Sequence, residues 1–346
     1  MRDIVKYLHD KYEITVMTLD DDYASFRRVF PDNVKYIPSR IKQNPYRRIH
    51  PMHHIVAVYN RLRTAYIRSR KYDIVISNKE GPCMQLVSKM QAEKKLAWVH
   101  VDYQYLYWTH WTFGAADEVK CMQCFDHVVC VSNATVESVK KVIGNPGNLC
   151  VRYNPIDYFA IEANGADRDK IYRDESKPLF VAVGRIAEQK NFLTLARVCS
   201  RLCKEYDFEL WIVGDGEQRA AIEEILEQEN CSCVKILGMQ RNPHKYLAKA
   251  DFFVSTSFGE SYGLVIQEAL VLGVPVLTTR CPAIEECFDA KFGLLVDCED
   301  LAIENGMRYI LEHPECVDQY KKVIETEYDK NALWDERLRK IEDLLR

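Results

Sequence analysis

Short runs rich in β-branched and aromatic residues recur almost from end to end of the chain, each followed by a longer amphipathic stretch. This alternation narrows the fold more than any other feature, because it is the pattern of repeated strand and helix units. The runs are "EITVMTL", "VKYIP", "YDIVISN", "KLAWVHVD", "HVVCVSN" and "LCVRYN" in the first half, then "PLFVAVG", "FELWIVG", "VKILG", "DFFVSTS", "VPVLTT" and "FGLLVD". Strands so continuously apolar are buried on both faces, which predicts parallel sheets covered by helices. A chain of 346 residues exceeds one ordinary core, so two α/β domains are expected. The polar stretch at 154–178 reads as a linker between domains at 1–155 and 156–328. From 329 onward, "KNALWDERLRKIEDLLR" reads as a last amphipathic helix with no strand after it, free to pack back on the first domain.

Composition excludes several classes. With 47% hydrophobic and 28% charged residues and no low-complexity tract, the chain is globular. It shows no apolar run near the roughly 18 residues of a membrane span and no signal-peptide core, so a cytoplasmic location is expected, with a peripheral place on the inner membrane face open to it. The 13 cysteines lack the framework spacing of a secreted module. The pair Cys121 and Cys124 has no second pair and no histidine at zinc-finger spacing, so neither a metal nor a cofactor is expected. Charge is uneven: residues 27–71 hold twelve Lys or Arg against one acid, Asp32, a local +11 that leaves −15 on the rest of a chain whose total is −4. No base-stacking or groove-entering motif accompanies this patch, and the pI is about 6.2, so nucleic acid is not an expected partner.

Open parallel sheets bind ligands beyond the carboxyl ends of their strands, where helix N-termini offer unpaired N–H groups. After "PLFVAVG", whose last residue is Gly184, Arg185 stands at the strand end and Lys190 at the start of the next helix, two cations suited to a phosphate or diphosphate. After "FELWIVG" a "GDG" turn places Gly214 and Gly216 where backbone could approach a flat ligand. Met239, after "VKILG", is a candidate wall for a nucleobase. In "FGESYGLVIQEAL", Glu260 and Ser261 lie in the loop, Gly263 starts a helix, and the N–H groups of Gly263, Leu264 and Val265 are its unpaired donors. Glu268 falls roughly 6 to 8 Å further along the helix axis, the reach from a phosphate to a ribose.

The ensemble "NPID", "GRIAEQKN", "GDG" and "FGESYGLVIQEALVLGVPVLTT" resembles the retaining glycosyltransferases of family 4 over roughly residues 10–346. The resemblance implies the GT-B fold, two Rossmann-like domains facing a cleft, the first on the acceptor side and the second binding a nucleotide sugar. It implies Arg185 and Lys190 on the diphosphate, Glu260 on the donor sugar, Glu268 on the ribose, and backbone N–H groups near Gly263 and Leu264 completing the cradle. His100, at the end of "LAWVHV", takes the place of a histidine that contacts the donor sugar in similar enzymes; Asp102 could orient an acceptor hydroxyl. A hexose donor, with UDP favoured over GDP, and a glycan or lipid-linked acceptor are the expected partners, in polysaccharide or glycolipid synthesis. The basic segment 27–71 is expected to meet an anionic membrane surface. Family members carry a strand and a glycine-rich loop before the first helix, and neither stands ahead of "MRDIVKYLHDKYEITV". A vacant central position in the first sheet is therefore expected, with a start lacking roughly 20 to 30 residues judged from the usual length of such elements. The alternatives are a weakened or inactive relative that still binds nucleotide, and a nucleotide-sugar epimerase.

Overall fold

The computed structural model describes residues 2–18, 28–41 and 51–346. Arg27, Lys42, Arg47 and Arg48 of the basic segment lie outside the described residues. The chain forms two compact units, Met1–Pro155 together with Asp335–Arg346, and Ile156–Trp334. All twelve sequence-predicted strands are present.

In the first unit they are β1 (Thr15–Thr18), β2 (Lys35–Pro38), β3 (Lys71–Ser77), β4 (Gln91–Val99), β5 (His127–Cys130) and β6 (Leu149–Val151). All pairings are parallel, yet among the described residues the six strands do not join into one sheet: β1 pairs with β2, and β3 to β6 form a second sheet in chain order. β1 and β2 are only half-buried. The expectation of burial on both faces is not met there, where the two strands pair with each other and with no further strand among the described residues. The central part of the larger sheet behaves as predicted: Leu96, Ala97, Trp98 and Val99 are all buried, Ala97 and Val99 in one cluster with Val128 and Cys130. The final helix, Arg337–Glu342, packs on this unit. Glu342 accepts from Lys11 Nζ at 2.7 Å and Tyr7 Oη at 3.0 Å, and Arg337 donates to the Asn154 carbonyl at 2.8 Å.

In the second unit β7 (Leu179–Val183), β8 (Glu209–Val213), β9 (Val234–Gly238), β10 (Phe252–Ser255), β11 (Val276–Thr279) and β12 (Gly293–Val296) form one parallel sheet in the order β12-β11-β10-β7-β8-β9. The period-2 alternation of a strand divides its core in two. Phe180, Ala182, Leu210, Ile212, Phe252 and Val254 face one helical layer, and Leu179, Val181, Trp211, Val213 and Phe253 face the other. Both layers are needed for strands this apolar.

The linker expectation is corrected. Residues Tyr158–Gly165 form a helix capped by Asp157, whose carboxylate accepts from Ala160 N at 3.0 Å. Ile161 is buried with Ile156, Val271 and Leu333, and a Cβ on Gly165 would lie 2.5 Å from Leu272. The helix at the start of the segment is a packed part of the second unit, and most of the polar residues that suggested a linker follow it, from Asp167 to Lys177.

Candidate functional site

The strand order places the second unit's candidate residues. From β7 the chain winds outward through β8 and β9, and from β10 it winds the other way through β11 and β12. β7 and β10 are direct neighbours, with Phe252 opposite Phe180. The loops beyond their carboxyl ends therefore splay apart at a topological switch point, the position where open α/β sheets bind ligands. Arg185 and Lys190 follow β7; Glu260, Ser261 and Gly263 follow β10.

The two loops are stitched together. Phe258 N donates to Gln189 O at 2.9 Å, Gln189 Nε2 to Gly259 O at 2.7 Å, and Thr256 Oγ1 to Lys190 O at 3.0 Å. Across this seam Lys190 Nζ meets Glu260 Oε1 at 2.5 Å, and Ser257 Oγ donates to the same oxygen at 2.6 Å. Both side chains of the ion pair are mostly shielded, Lys190 at 22% and Glu260 at 12% exposure. Both bonds converge on Oε1, which leaves Oε2 to accept from an outside hydroxyl.

Gly263 is the residue before the helix rather than its first member: the helix runs Leu264–Val271, and Gly263 caps it in the left-handed region at φ 72°. A Cβ there would sit 2.8 Å from Ile284 Cδ1, a side-chain end that can shift, so it is the left-handed conformation that calls for glycine. Ile266 N and Gln267 N turn back to Gly263 O, while Leu264 N and Val265 N precede any intrahelical acceptor and present an anion-binding start beside Glu260.

Other candidates are placed differently. Arg185 is 75% exposed and pairs with Glu217 at 3.2 Å, so it is not the preorganised cation that the sequence suggested. Leaving that partner costs little, since exposed pairs contribute about 0 to 1 kcal/mol. The glycines of "GDG" answer to backbone packing: a Cβ on Gly214 would lie 1.8 Å from Gly184 O, and one on Gly216 2.4 Å from Ile186 O. They bring the β7 and β8 turns together, and so set the position of Arg185. Met239 is 83% exposed.

Glu268 has a partner that sequence reasoning missed. His244, the first residue of the short helix His244–Leu247, has Nε2 3.2 Å from Glu268 Oε2, outside hydrogen-bond alignment, and Nδ1 3.4 Å from Asn164 Nδ2. Only the three-dimensional neighbourhood reveals the pair, 24 positions apart in sequence and in different helices.

In the first unit His100 follows β4. Its backbone N–H donates to Glu80 Oε2 at 3.1 Å, its Nε2 is buried without a hydrogen-bond partner, and burial holds its pKa below the ordinary value, so the ring is neutral at pH 7. Asp102 is not available to a substrate: it is 7% exposed, and its Oδ1 accepts from Gln104 N and Ser138 Oγ.

Comparison with known proteins identifies the family and the fold. Residues 1–158 match the Glycosyltransferase Family 4 model, and residues 177–313 match Glycosyl transferases group 1. An uncharacterised glycosyltransferase of Methanocaldococcus jannaschii is 37% identical over 150 residues, 42% of this chain and 37% of that protein. The lipopolysaccharide core biosynthesis glycosyltransferase LpsE of Rhizobium meliloti is 35% identical over 136 residues, 39% of each chain. The N-acetylgalactosamine-N,N'-diacetylbacillosaminyl-diphospho-undecaprenol 4-alpha-N-acetylgalactosaminyltransferase of Campylobacter jejuni is 31% identical over 189 residues, 53% of this chain and 49% of that one. The matches thus span 37% to 49% of these relatives' lengths. Among solved structures, Anabaena HepE in complex with UDP and glucose superposes with TM-score 0.75 at 14% identity, covering 99% of this chain and 94% of that one. Sucrose-phosphate synthase of Thermosynechococcus elongatus gives 0.73 at 17% identity, covering 99% and 90%.

Proposed function

Because this chain belongs to the family 4 glycosyltransferases of GT-B fold, we propose that it moves a hexose from a nucleotide sugar, UDP-linked in preference, to a hydroxyl of a glycan or lipid-linked acceptor with retention at the anomeric carbon. The observation that carries this reading is the Lys190–Glu260 ion pair set beside the helix start at Leu264. A diphosphate on the helix start draws on Lys190 Nζ and, once it leaves Glu217, on the Arg185 guanidinium. Glu260 Oε2 then accepts from the sugar hydroxyls, and Glu268 from the ribose. In the transfer, the bond from sugar C1 to the phosphate oxygen breaks and the acceptor oxygen takes C1. The hydroxyl proton passes to the departing phosphate. Charge growing on the leaving group is met by the held Lys190 ammonium, by Arg185 once it leaves Glu217, and by N–H dipoles, so the reading assigns no metal or cofactor to this step. His100, neutral and with Nε2 unpaired, is assigned as a hydrogen-bonding contact to the donor sugar. The uridine preference is supported by the UDP named with the Anabaena structure, and the lipid-linked acceptor by the undecaprenol named for the Campylobacter relative.

The two glutamates separate in a binding test. Glu268→Ala is expected to weaken UDP and a UDP-sugar alike by about 1 to 3 kcal/mol, the loss of charged hydrogen bonds. Glu260→Ala is expected to weaken the UDP-sugar while leaving UDP nearly unchanged. Calorimetry on both variants decides: a Glu260→Ala variant that loses UDP as much as the UDP-sugar, or a Glu268→Ala variant that keeps UDP affinity, contradicts the assignment. Running GDP- and ADP-sugars in the same series tests the base.

The reading includes a membrane surface. No helix among the described residues is long and apolar enough to cross a bilayer. The helix Pro51–Ser69 buries Val56 and Ile67 but exposes Ile55, Val58, Leu62 and Tyr66, which fall on one stripe at helical spacing. The basic segment is less uniform than its sequence suggested: Arg63 donates to the carbonyls of Pro38 and Ser39, and Arg70 to Tyr72 Oη, so these two anchor the fold. An apolar stripe with flanking cations suits the interface of an anionic leaflet. Co-sedimentation with anionic vesicles is expected to fall with salt and with Arg47→Glu/Arg48→Glu, whereas Ile55→Glu/Leu62→Glu removes the part that survives salt. Binding indifferent to all of these changes refutes the surface.

A further inference from the structure

At the opposite end of the second unit's sheet from the candidate donor site, three cysteines converge. Helix Phe192–Leu202 ends at its cap, Cys203, and the chain enters β9 through Cys231 and Cys233. Cys203 Sγ lies 3.8 Å from Cys231 Sγ, Cys231 Sγ lies 3.4 Å from Cys233 Sγ, and all three sulfurs fall within 4.8 Å of one another. Two thiolates on one tetrahedral zinc, at bond lengths of about 2.3 Å, stand about 3.8 Å apart. The spacing is therefore that of ligands around one ion, without rearrangement of the backbone.

The supports are rigid. Cys203 N donates to Cys199 O at 2.9 Å, Cys231 N to Leu226 O at 2.8 Å, and Leu210 N to Cys233 O at 2.8 Å, so a helix end, a helix-to-strand turn and the sheet itself each hold one ligand. Lys204 follows Cys203 and pairs with Glu229 at 2.8 Å, two residues before Cys231, so a cation stands close to where thiolate charge would gather. Cys231 is buried, and partly exposed Cys203 leaves the cluster a side open to solvent, from which a fourth ligand would come. Within the sequence the signal was faint: the C-x-C of Cys231 and Cys233 is visible, but its third member is 28 residues upstream. The sequence expectation of no metal rests on Cys121 and Cys124, of which Cys124 donates to Lys120 O and stands at an ordinary helix end.

We infer that Cys203, Cys231 and Cys233 form a trithiolate site for a thiophilic cation of the zinc class. Binding displaces the thiol protons and pins the end of helix Phe192–Leu202 to the entry of β9, closing the 28-residue span from Cys203 to Cys231. Lying at the amino ends of the strands, the ion is a clamp on the fold and takes no part in the transfer.

The test uses the reduced, metal-free full chain titrated with Zn2+ and, in parallel, Co2+. The expected result is one ion retained per chain after gel filtration, three fewer thiols reactive toward an aromatic disulfide, a thiolate-to-cobalt charge-transfer band, and a raised melting temperature with UDP affinity unchanged. Cys231→Ser/Cys233→Ser abolishes uptake, Cys124→Ser leaves it intact, and Cys203→Ser, at a half-exposed helix end, lowers it at least tenfold even if the double variant does not fold. The inference is overturned if the reduced chain retains no zinc at free zinc equal to its own concentration, if Cys203→Ser keeps full uptake, or if the cysteines are recovered as a disulfide that reduction does not convert to a zinc-binding form.

Discussion

Lys190→Ala is expected to lower the rate of sugar transfer about 10²- to 10³-fold, the scale of removing one preorganised group from a developing negative charge. In the structure the ammonium is held at 2.5 Å from Glu260 and is only 22% exposed, so it needs little reorganisation to serve a diphosphate laid on the helix start at Leu264. Removing it also leaves the Glu260 carboxylate, 12% exposed, with Ser257 as its remaining partner, so part of the loss could come from a disturbed loop. Two comparisons separate these causes. Lys190→Ala/Glu260→Gln relieves the unpaired charge, and should recover thermal stability without recovering kcat. Lys190→Arg retains charge but not the compact point donor, and should recover only part of kcat. Arg185→Ala gives the contrast: an exposed side chain on Glu217 is expected to cost kcat much less. A Lys190→Ala enzyme with kcat within a few-fold of the parent removes the ion pair from the proposed mechanism.

The elements were legible because parallel strands buried on both faces leave uninterrupted apolar runs, and "PLFVAVG" or "FELWIVG" could hardly be anything else. Pairing was not legible in the same way. Whether β2 and β3 are neighbours depends on contacts far apart in the chain, and among the described residues β1–β2 and β3–β6 stand as two separate sheets. The site was read at the level of residue type. Sequence placed Lys190, Glu260 and Gly263 at strand ends, but only the adjacency of β7 and β10 turns those ends into one locus. It erred where a residue's reason is local packing. Gly214 and Gly216 looked like room for a ligand and are room for the backbone of Gly184 and Ile186. Asp102 looked like a substrate contact and is bound by Ser138 and Gln104. His244 beside Glu268, and Cys203 beside Cys231 and Cys233, escaped because neighbours on different elements leave no spacing to read.

Gly214→Ala is expected to be the most destabilising single methyl group in the second unit's turns. The added Cβ would stand 1.8 Å from Gly184 O and 2.9 Å from Gly184 C, and both are backbone atoms that no rotamer change can move aside. The contact cannot open freely, because Gly184 N donates to Val213 O at 3.1 Å and Gly214 N to Gly238 O at 2.9 Å, tying β7, β8 and β9 across the same turn. Relief therefore demands breaking ladder bonds or parting the strands, at a cost of about 3 kcal/mol or more. Against a total stability of about 5 to 15 kcal/mol, that loss is a large fraction. Gly114→Ala is the matched control: its φ is −77° and the nearest atom to the new Cβ is Asp117 Oδ2 at 4.0 Å, so little change or slight stabilisation is expected. Urea unfolding followed by limited proteolysis, with fragments assigned to each unit by mass, reads the two separately. Gly214→Ala should expose residues of Ile156–Trp334 at lower urea while leaving the first unit's transition in place. If Gly214→Ala unfolds at the urea concentration of the parent, the turn has slack that these distances deny, and Arg185 is not positioned by it.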